Sequence, residues 1–248
     1  MPAYNEAAHI EECVSEWYDC VSSQVPDSEV LVVDDCSSDG TGERLERLCV
    51  RFRRLRVLRL SVNVGHGPAV RAGLEQCGGE FIFQTDSDRQ YKPEDFWSLW
   101  SERVDADFIF GVRRLRADGA FRKIVSGLLR IVNLVMWGQW IADANCPFKL
   151  MRKTALDRIL PAIPRDSYIP MVVVSVLARR GGFRVRELYV QHFPRTAGEQ
   201  SLAGLRKWAV VGLQCLRELM VLRLSHRART FSSRPHTANP PAERPRID

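Results

Sequence analysis

Two acidic residues close together in the chain, Asp86 and Asp88, carry the strongest chemical signal in the sequence. They follow an apolar run at 81–85 that predicts a buried strand, and Ser87 stands between them. Carboxylates at that spacing can converge on a hard divalent cation, and Gln90 offers a further neutral oxygen ligand. Such a cation can bridge a nucleotide diphosphate and neutralise charge on the leaving phosphate. A solvated acidic turn is the alternative that the spacing alone leaves open.

A second acidic pair, Asp34 and Asp35, ends the apolar run at 30–33. A carboxylate at a strand end can accept a hydrogen bond from a base N–H or a ribose hydroxyl. Helix capping is the alternative, because the Ser, Asp and Thr residues within 38–41 can satisfy free N–H groups of a following helix. We interpret the segment as doing both, with one Asp for a ligand and the later residues for the cap.

The elements that must position these acids alternate between strand and helix through the first half of the chain. The hydrophobic pattern predicts strands at 30–33, 55–60, 80–85 and 106–112. It predicts helices at 6–25, 41–53, 68–77 and 93–103. This order is typical of an α/β fold, with a mostly parallel sheet and helices on both faces. Because ligands of such folds bind at the carboxyl ends of the strands, both acid pairs should face one crevice.

The second half of the chain changes in character. It contains an apolar stretch at 121–141 with Trp137 and Trp140, followed by a predicted loop at 143–152. Helices are predicted at 154–163 and 169–180, a strand at 183–193, and an amphipathic helix at 205–224. We expect one catalytic domain over 1–203, the amphipathic helix over 204–225, and a disordered basic tail over 226–248.

Composition and charge exclude several classes of protein. The seven Cys are scattered without C-x-x-C spacing, which argues against a zinc site and a disulfide framework and favours reduced thiols. We see no secretory signal and no run of twenty apolar residues, so a cytoplasmic location is expected. The net charge of +6 allows an anionic partner. Nucleic acid is a poor candidate because the basic residues lack an aromatic platform.

Four segments matter for their order and spacing: Pro2–Glu6, Val32–Thr41, Asn63–Gly67 and Asp86–Gln90. Together they resemble the family 2 glycosyltransferases of GT-A fold, nearest to the dolichyl-phosphate mannosyltransferases and their bacterial polyprenyl-phosphate relatives. The similarity runs from residue 2 to about residue 200. It implies a metal-dependent, inverting transfer of a hexose from a nucleotide-diphosphate sugar to a polyprenyl (dolichyl or undecaprenyl) phosphate, with Mg²⁺ or Mn²⁺ as cofactor.

The resemblance also implies a role for each matching position. The nucleotide pocket would be lined by Pro2, Tyr4 and Glu6, the base and ribose would meet Val33 and Asp35, and the backbone of Ser87 would touch the nucleotide. The metal would be held by Asp86 and Asp88, with Gln90 beside them. The catalytic residues would be Asp88, Arg113 and Arg195. Arg113 matches the family's Gly-x-Arg, and Arg195 lies where relatives carry Arg-x-x-Gly, although this loop has one residue more between Gly and Ser.

Other polar residues leave alternatives open. Asp143, in a segment that resembles the family's Asp-x-x-x-x-Phe-Lys/Arg, can act as a base toward a hydroxyl acceptor or only orient other groups. His66 and His192 are expected to be structural. Arg122 and Lys123 are candidates for the acceptor phosphate or plain surface charge.

One departure from the family pattern concerns the start of the chain. Members usually have a full first strand before Pro-x-Tyr-Asn-Glu, and here almost all of it is absent. Because that strand is normally central, its loss would leave open edges. We expect either a start assigned too far downstream or an unstable protein, and favour the first.

Two helices, at 124–141 and 205–224, bear on the acceptor. Each suits core packing or a position in the surface of an anionic membrane. We predict peripheral attachment at the inner face of the cell membrane. Transfer to a sugar hydroxyl, as in polysaccharide or glycolipid synthesis, and a catalytically inactive nucleotide-sugar binding protein are the alternative functions.

Overall fold

The computed structural model describes residues 1–113, 127, 131, 134–194 and 205–224; for 205–211 it describes the backbone alone. The strands are β1 (Pro2–Ala3), β2 (Val30–Asp34), β3 (Leu55–Arg59), β4 (Phe81–Gln84), β5 (Phe108–Arg113), β6 (Lys149–Arg152) and β7 (Val185–Val190). The α-helices are α1 (Ile10–Trp17), α2 (Thr41–Arg51), α3 (His66–Gln76), α4 (Phe96–Ser101), α5 (Lys153–Ile159), α6 (Pro170–Arg180) and α7 (Leu205–Leu224). A π-helical turn (Tyr18–Ser22) extends α1, and single 3₁₀ turns precede α4 (Pro93–Asp95) and follow α5 (Leu160–Ala162).

The described strands form two sheets, in the orders β1-β2-β3 and β4-β6-β5-β7. The first sheet is parallel throughout, with Pro2 opposite Val33 and Val30 opposite Leu55. In the second sheet β7 runs parallel to β5, and only β6 is antiparallel to its neighbours. The prediction of an α/β fold with a mostly parallel sheet is therefore confirmed. Between β1 and β4 the described residues form no ladder, so the sheet is interrupted where the short first strand lies.

The loop predicted at 143–152 is wrong at its end, because residues 149–152 form β6. This strand inserts between β4 and β5, with Lys149 opposite both Gln84 and Phe110. Four residues that begin and end on a cation show no strand periodicity, so local pattern could not reveal it. This matters for the site, because β6 runs antiparallel to β4 and β5 and therefore begins at the edge of the sheet where those two strands end. Lys149 therefore lies at the carboxyl edge of the sheet.

Apolar side chains pack on both faces of the larger sheet, as alternation along its strands requires. One face packs against α3, α5, α6 and α7, through residues such as Phe108, Phe110 and Leu177. The other packs against α1 and α4, through Trp17 and Phe148. A third cluster lies between the smaller sheet and α1 and α2. The predicted helices on both faces are confirmed.

Two helices near the candidate site begin at different residues from those predicted. The helix predicted from Glu6 begins at Ile10, because the preceding loop is held by the segment after β2. The helix predicted from Pro68 begins at His66, directly after Gly65 at φ 91°. Helix α7 has the predicted bounds. Among the described helices, we find none with the length and apolarity needed to cross a bilayer.

Candidate active site at the carboxyl edge of the sheets

The acidic motif begins two residues after β4 and turns back toward α1. Gln84, the last residue of the strand, donates from Nε2 to Asp86 Oδ1 at 3.2 Å, and His66 Nε2 lies 3.8 Å from the same oxygen. The N–H of Gln90 donates to Asp88 Oδ1 at 3.2 Å. Both carboxylates are thus oriented by neighbouring groups at the edge where ligands of parallel sheets bind.

The turn after Asp88 depends on Arg89, which has φ 58°. A non-glycine residue in this left-handed region is strained and needs support from its surroundings. That support comes from α1, because the Arg89 guanidinium forms ion pairs with Glu12 and Glu16. The sequence offered no local signal for this arrangement, because the partners lie more than seventy positions away.

The segment at residues 2–7 lies against the loop that follows β2. The N–H groups of Glu6 and Ala7 donate to Thr41 Oγ1 and Asp39 Oδ2, both at 2.9 Å. Asp39 Oδ1 also accepts from the N–H and the hydroxyl of Thr41, at 3.0 and 2.6 Å. Burial alone would raise the pKa of Asp39, but these hydrogen bonds outweigh it and lower the pKa. The N-cap residue of α2 is Gly40, at φ 93°, and no side chain forms a capping hydrogen bond there, so the predicted cap by Ser38, Asp39 or Thr41 is wrong. Asp39 and Thr41 instead hold the first loop, in which Tyr4 is half exposed.

Ser87 joins the two sheets at this edge. Its hydroxyl donates to the carbonyl oxygen of Pro2 at 2.9 Å, in a buried position. The sequence-based role for Ser87 concerned its backbone and gave its side chain no function. The hydrogen bond places the acidic motif beside the predicted nucleotide-binding segment, although β1 and β4 themselves are not paired.

We expect Ser87→Ala to lower the free energy of unfolding by about 1 kcal/mol, the net worth of one buried hydrogen bond. It should also raise the KM for a nucleotide donor, because the two halves of the pocket lose their direct link. Urea unfolding and donor titration measure the two effects. Ser98→Ala is the matched control, since Ser98 donates only to Asp95 O within its own exposed turn. Equal effects of the two substitutions would contradict the role assigned to Ser87.

The acidic pair at the end of β2 accepts hydrogen bonds from other groups of the protein. Both oxygens of Asp35 accept backbone N–H groups, from Val64 and Gly65, each at 2.8 Å. Asp34 is buried and accepts from Ser37 N–H at 3.1 Å. Val33 is also buried, and its side chain faces α3. A base or ribose at this strand end would meet the remaining lone pairs of Asp35 and the backbone of Val33, rather than the Val33 side chain.

Arg113, the last residue of β5, forms a bidentate pair with Asp143. Its Nε and Nη2 lie 2.7 and 2.8 Å from the two carboxylate oxygens, and the exposed fractions of the two side chains are 10% and 3%. Burial alone would lower the pKa of Arg113, but the hydrogen bond with Asp143 raises it. The pair stands beside Tyr91, whose hydroxyl lies 3.7 Å from Cys146 Sγ, and burial raises the Tyr91 pKa well above its ordinary value.

The residues after the acidic motif contact the segment that leads to Arg195. Gln90 Nε2 donates to Phe193 O at 3.0 Å, and Phe193 N–H donates to Gln90 O at 2.9 Å. Tyr91 packs on His192 with ring centroids 5.3 Å apart. The amide nitrogen of Gln90 is thus engaged, which leaves its Oε1 as the atom that could meet a metal. Arg195, Arg122 and Lys123 lie outside the described residues.

The carboxylate oxygens at this edge fit a hard divalent cation whose coordination shell would be completed by phosphate oxygens. Asp86 and Asp88 supply carboxylate oxygens, and the described residues contain no cluster of three or more His, Cys, Asp or Glu with metal-binding geometry. Mg²⁺ is commonly held by one or two carboxylates together with water and substrate phosphates. Two aspartates therefore suffice for a cation that arrives with a nucleotide diphosphate.

The fold and this site define a class: α/β proteins with a mostly parallel sheet and a pair of carboxylates, in a D-x-D motif, at the carboxyl edge where ligands of such folds bind. Residues 1–160 match the family described as Glycosyl transferase family 2, and the chain belongs to that family. Its fold is the GT-A fold.

Similar proteins include the undecaprenyl-phosphate 4-deoxy-4-formamido-L-arabinose transferases of Pseudomonas fluorescens SBW25 and Salmonella choleraesuis SC-B67. They are 28% and 26% identical over 208 residues, which is 83% of this chain and 60% and 62% of those proteins. The chain thus spans about 60% of the length of the curated relatives it matches.

Solved structures support the fold. Glucosyl-3-phosphoglycerate synthase from Mycobacterium tuberculosis, in complex with Mn²⁺, uridine diphosphate and glucosyl-3-phosphoglycerate, aligns with a TM-score of 0.66 at 18% identity, covering 89% of this chain and 77% of that one. S. aureus TarS 1–349 in complex with UDP aligns with a TM-score of 0.56 at 19% identity, covering 94% and 68%.

Proposed function

We propose that this chain is a metal-dependent, inverting glycosyltransferase that moves a hexose from a nucleotide-diphosphate sugar to a polyprenyl phosphate. Family membership and the names of the similar transferases support this activity. The acidic motif at the carboxyl edge supports a metal-bound diphosphate. When bound, Mg²⁺ or Mn²⁺ would neutralise charge on the departing nucleotide diphosphate.

The choice of a phosphate acceptor rests on the contacts and burial of the Asp143 carboxylate. A hydroxyl acceptor needs a base to take its proton, and a carboxylate at this edge is the natural candidate. Asp143 instead gives both oxygens to Arg113 and is nearly buried. A lipid phosphate is already an anion and needs no base. The pair therefore supports a phosphate acceptor, with Arg113 supplying positive charge near the reacting groups.

The chain's own residues would divide the work as follows. Asp86 and Asp88 would hold the metal and the diphosphate, oriented by Gln84 and the Gln90 backbone. The loop at 2–7, held by Asp39 and Thr41, would form the nucleotide side of the pocket. The acceptor phosphate would attack the anomeric carbon from the face opposite the leaving group. Arg195, within the predicted Arg-x-x-Gly loop, is proposed to contact the diphosphate.

A donor panel with Mn²⁺ and polyprenyl phosphate, read as nucleotide release and as labelled sugar in the lipid phase, tests the proposal. Transfer to the lipid phosphate with at least one donor is the expected result. Transfer to a soluble sugar in place of the lipid would favour the hydroxyl-acceptor alternative. Nucleotide binding without release for any donor would favour an inactive binding protein and would end the proposal.

We also propose that the chain lies on the surface of an anionic membrane, where its acceptor would be found. Among the described side chains of α7, at 212–224, Leu219 and Leu222 are buried and face inward. A second set of apolar side chains faces outward on the same helix, comprising Leu213, Met220, Val221 and Leu224. Residues 131–140 add further exposed apolar side chains, comprising Ile131, Leu134, Val135 and Trp140. Arg217 and Arg223 of α7 can meet lipid phosphates.

Val221→Glu/Leu224→Glu should weaken partitioning onto vesicles of phosphatidylglycerol and phosphatidylcholine by at least about tenfold per residue, because burying one such side chain contributes about 1.5–3 kcal/mol. Vesicle co-sedimentation at constant ionic strength measures it. Val50→Glu is the control, because Val50 is 88% exposed on α2, distant in sequence from the exposed apolar side chains of α7. Undiminished partitioning of the double variant would remove this face from the membrane proposal.

A further inference from the structure

Lys149 is a buried cation that the proposed reaction does not use. Its side chain is inaccessible to solvent, and it lies at the carboxyl edge as the first residue of β6. Burial of an ammonium group is costly unless a counter-charge compensates it. Among the described residues the structure gives Nζ two carbonyl partners and no carboxylate ion pair. Because a buried ammonium group lowers the stability of the fold, its position at the edge of a candidate site indicates a functional role.

The two carbonyl partners identify what the cation holds. Nζ donates to Ala144 O at 3.1 Å and to Cys146 O at 2.7 Å, and lies 4.7 Å from the centroid of the Phe110 ring. Both carbonyls belong to the short loop that begins at Asp143. The N–H of Cys146 closes that loop on Asp143 O at 3.1 Å. Lys149 therefore holds the backbone immediately after Asp143, the residue that pairs with Arg113.

The chain of contacts runs on into the candidate site. Asp143 holds the Arg113 guanidinium by two hydrogen bonds, and also accepts from the Arg113 N–H at 3.4 Å. Cys146, the second residue held by Lys149, contacts Tyr91, three positions after Asp88. A single buried ammonium thus contacts the loop that supports both the arginine at the end of β5 and the tyrosine after the acidic motif.

We propose that Lys149 is a positioning residue: its ammonium fixes the loop at 143–147 and thereby the orientation of Arg113 toward the anionic substrates. The inference rests on the proposed function and adds to it the residue that sets the geometry of Arg113. Lys149 touches neither donor nor acceptor in this role. Its effect on turnover passes through Asp143.

The surroundings of Lys149 give the role a pH dependence. Burial lowers the pKa of Lys149 to about 8, against the opposing influence of Cys146, Asp143 and Glu187, while Arg113 lowers it further. Two neutral groups also contact the loop: Ser175 of α6 donates to Ala144 O at 3.4 Å, and the Tyr91 hydroxyl lies 3.7 Å from Cys146 Sγ. As pH rises through about 8, the bonds to the two carbonyls lose their charge assistance. Turnover should therefore fall over this range.

Stability should follow the opposite course. Because the folded-state pKa lies below the ordinary value of 10.5, the unfolded chain binds more protons between about pH 8 and 10.5. The destabilising effect of Lys149 is thus fully present below pH 8 and is released as pH rises above it. A residue that only held the fold together would show loss of turnover and loss of stability together.

Lys149→Met tests the proposal, because it keeps the volume and removes the charge. We expect kcat for sugar transfer to fall by about 10- to 100-fold, with little change in donor KM, as for residues that orient an active-site group. Stability at pH 7 should be unchanged or higher, and the advantage over the natural chain should shrink from pH 8 to 10. Hydrogen exchange of amides 144–146 should speed up. Lys153→Met, on an exposed i,i+4 pair with Asp157, is the control.

The outcomes separate this inference from the proposed function. Failure of the natural chain to transfer sugar would overturn the proposed function, while hydrogen exchange and pH-dependent stability still report on Lys149. A Lys149→Met protein with full kcat, or one whose loop amides exchange at the natural rate, would overturn the positioning role. If Lys149→Met fails to fold, Lys149→Gln is the second test, because its amide removes the charge and keeps N–H donors for the Ala144 and Cys146 carbonyls. Full kcat and natural loop exchange in a folded Lys149→Gln protein would overturn the requirement for an ammonium.

Discussion

Asp88→Asn should lower metal-dependent turnover by at least about 100-fold, the scale seen when one group that stabilises transition-state charge is lost. The fold should be retained, because Asn keeps an oxygen to accept the Gln90 N–H that Asp88 Oδ1 now accepts. What the variant loses is a negative charge where a divalent cation must bind. Nucleotide release, followed as Mn²⁺ is titrated, measures the effect.

The control for this prediction is Asp105→Asn, which removes a charge from an exposed turn before β5. It should leave both turnover and its Mn²⁺ dependence unchanged. If Asp88→Asn released nucleotide at the natural rate and with the same Mn²⁺ dependence, Asp88 would be excluded as a metal ligand. The loss of turnover should be accompanied by weaker Mn²⁺ binding, which calorimetry in the presence of nucleoside diphosphate can report.

Asp143→Ala should destabilise the protein by about 3–5 kcal/mol, the cost of leaving one member of a buried ion pair without its partner. Arg113 would keep its charge in a site where its side chain is only 10% exposed. Glu11→Ala is the comparison, because Glu11 pairs with Arg44 and Arg47 on the surface, where such pairs contribute about 0–1 kcal/mol. Chemical unfolding measures the difference between the two.

The double variant Arg113→Met/Asp143→Leu separates stability from function. Replacing both members of a buried pair by apolar residues is often neutral, so its free energy of unfolding should return to within about 1 kcal/mol of the natural value. Turnover should stay low, because the positive charge of Arg113 is gone. Recovery of turnover in the double variant would show that the pair serves stability alone. An Asp143→Ala protein as stable as the Glu11→Ala protein would contradict the buried pair itself.

The parts of the fold that the sequence predicted are those with a local signal. The strand at 30–34 combines an uninterrupted apolar run with an abrupt polar end, and the acidic motif follows an apolar run of the same kind. Helices such as α2 have apolar residues at helical spacing, with Leu45 and Leu48 on the buried face. Each of these patterns arises because one face of a single helix or strand is buried. A short window of sequence is long enough to show such a pattern.

The parts that were missed depend on contacts between distant residues. The pairing of Arg113 with Asp143 spans 30 positions, and the bond from Ser87 to Pro2 spans 85. Lys149 was predicted to lie in the loop at 143–152, at the cation position of Asp-x-x-x-x-Phe-Lys/Arg, because nothing in its neighbours shows that a strand buries it. Gln84 was expected only as a strand residue, although a polar side chain at the end of a buried strand was a signal that could have been used. The assigned roles of the site residues stay predictions.

The interruption of the sheet between β1 and β4 has a thermodynamic consequence. The proposed base side of the pocket belongs to the smaller sheet and the proposed phosphate side to the larger, and Ser87 with Pro2 is a direct bond between them. A nucleotide bound at both strand ends would contact both sheets, which no backbone hydrogen bonds of the described residues join between β1 and β4. Its binding energy would then add to the cohesion of the folded state, by RT ln(1 + [L]/Kd). Donor occupancy would therefore raise the free energy of unfolding of this domain.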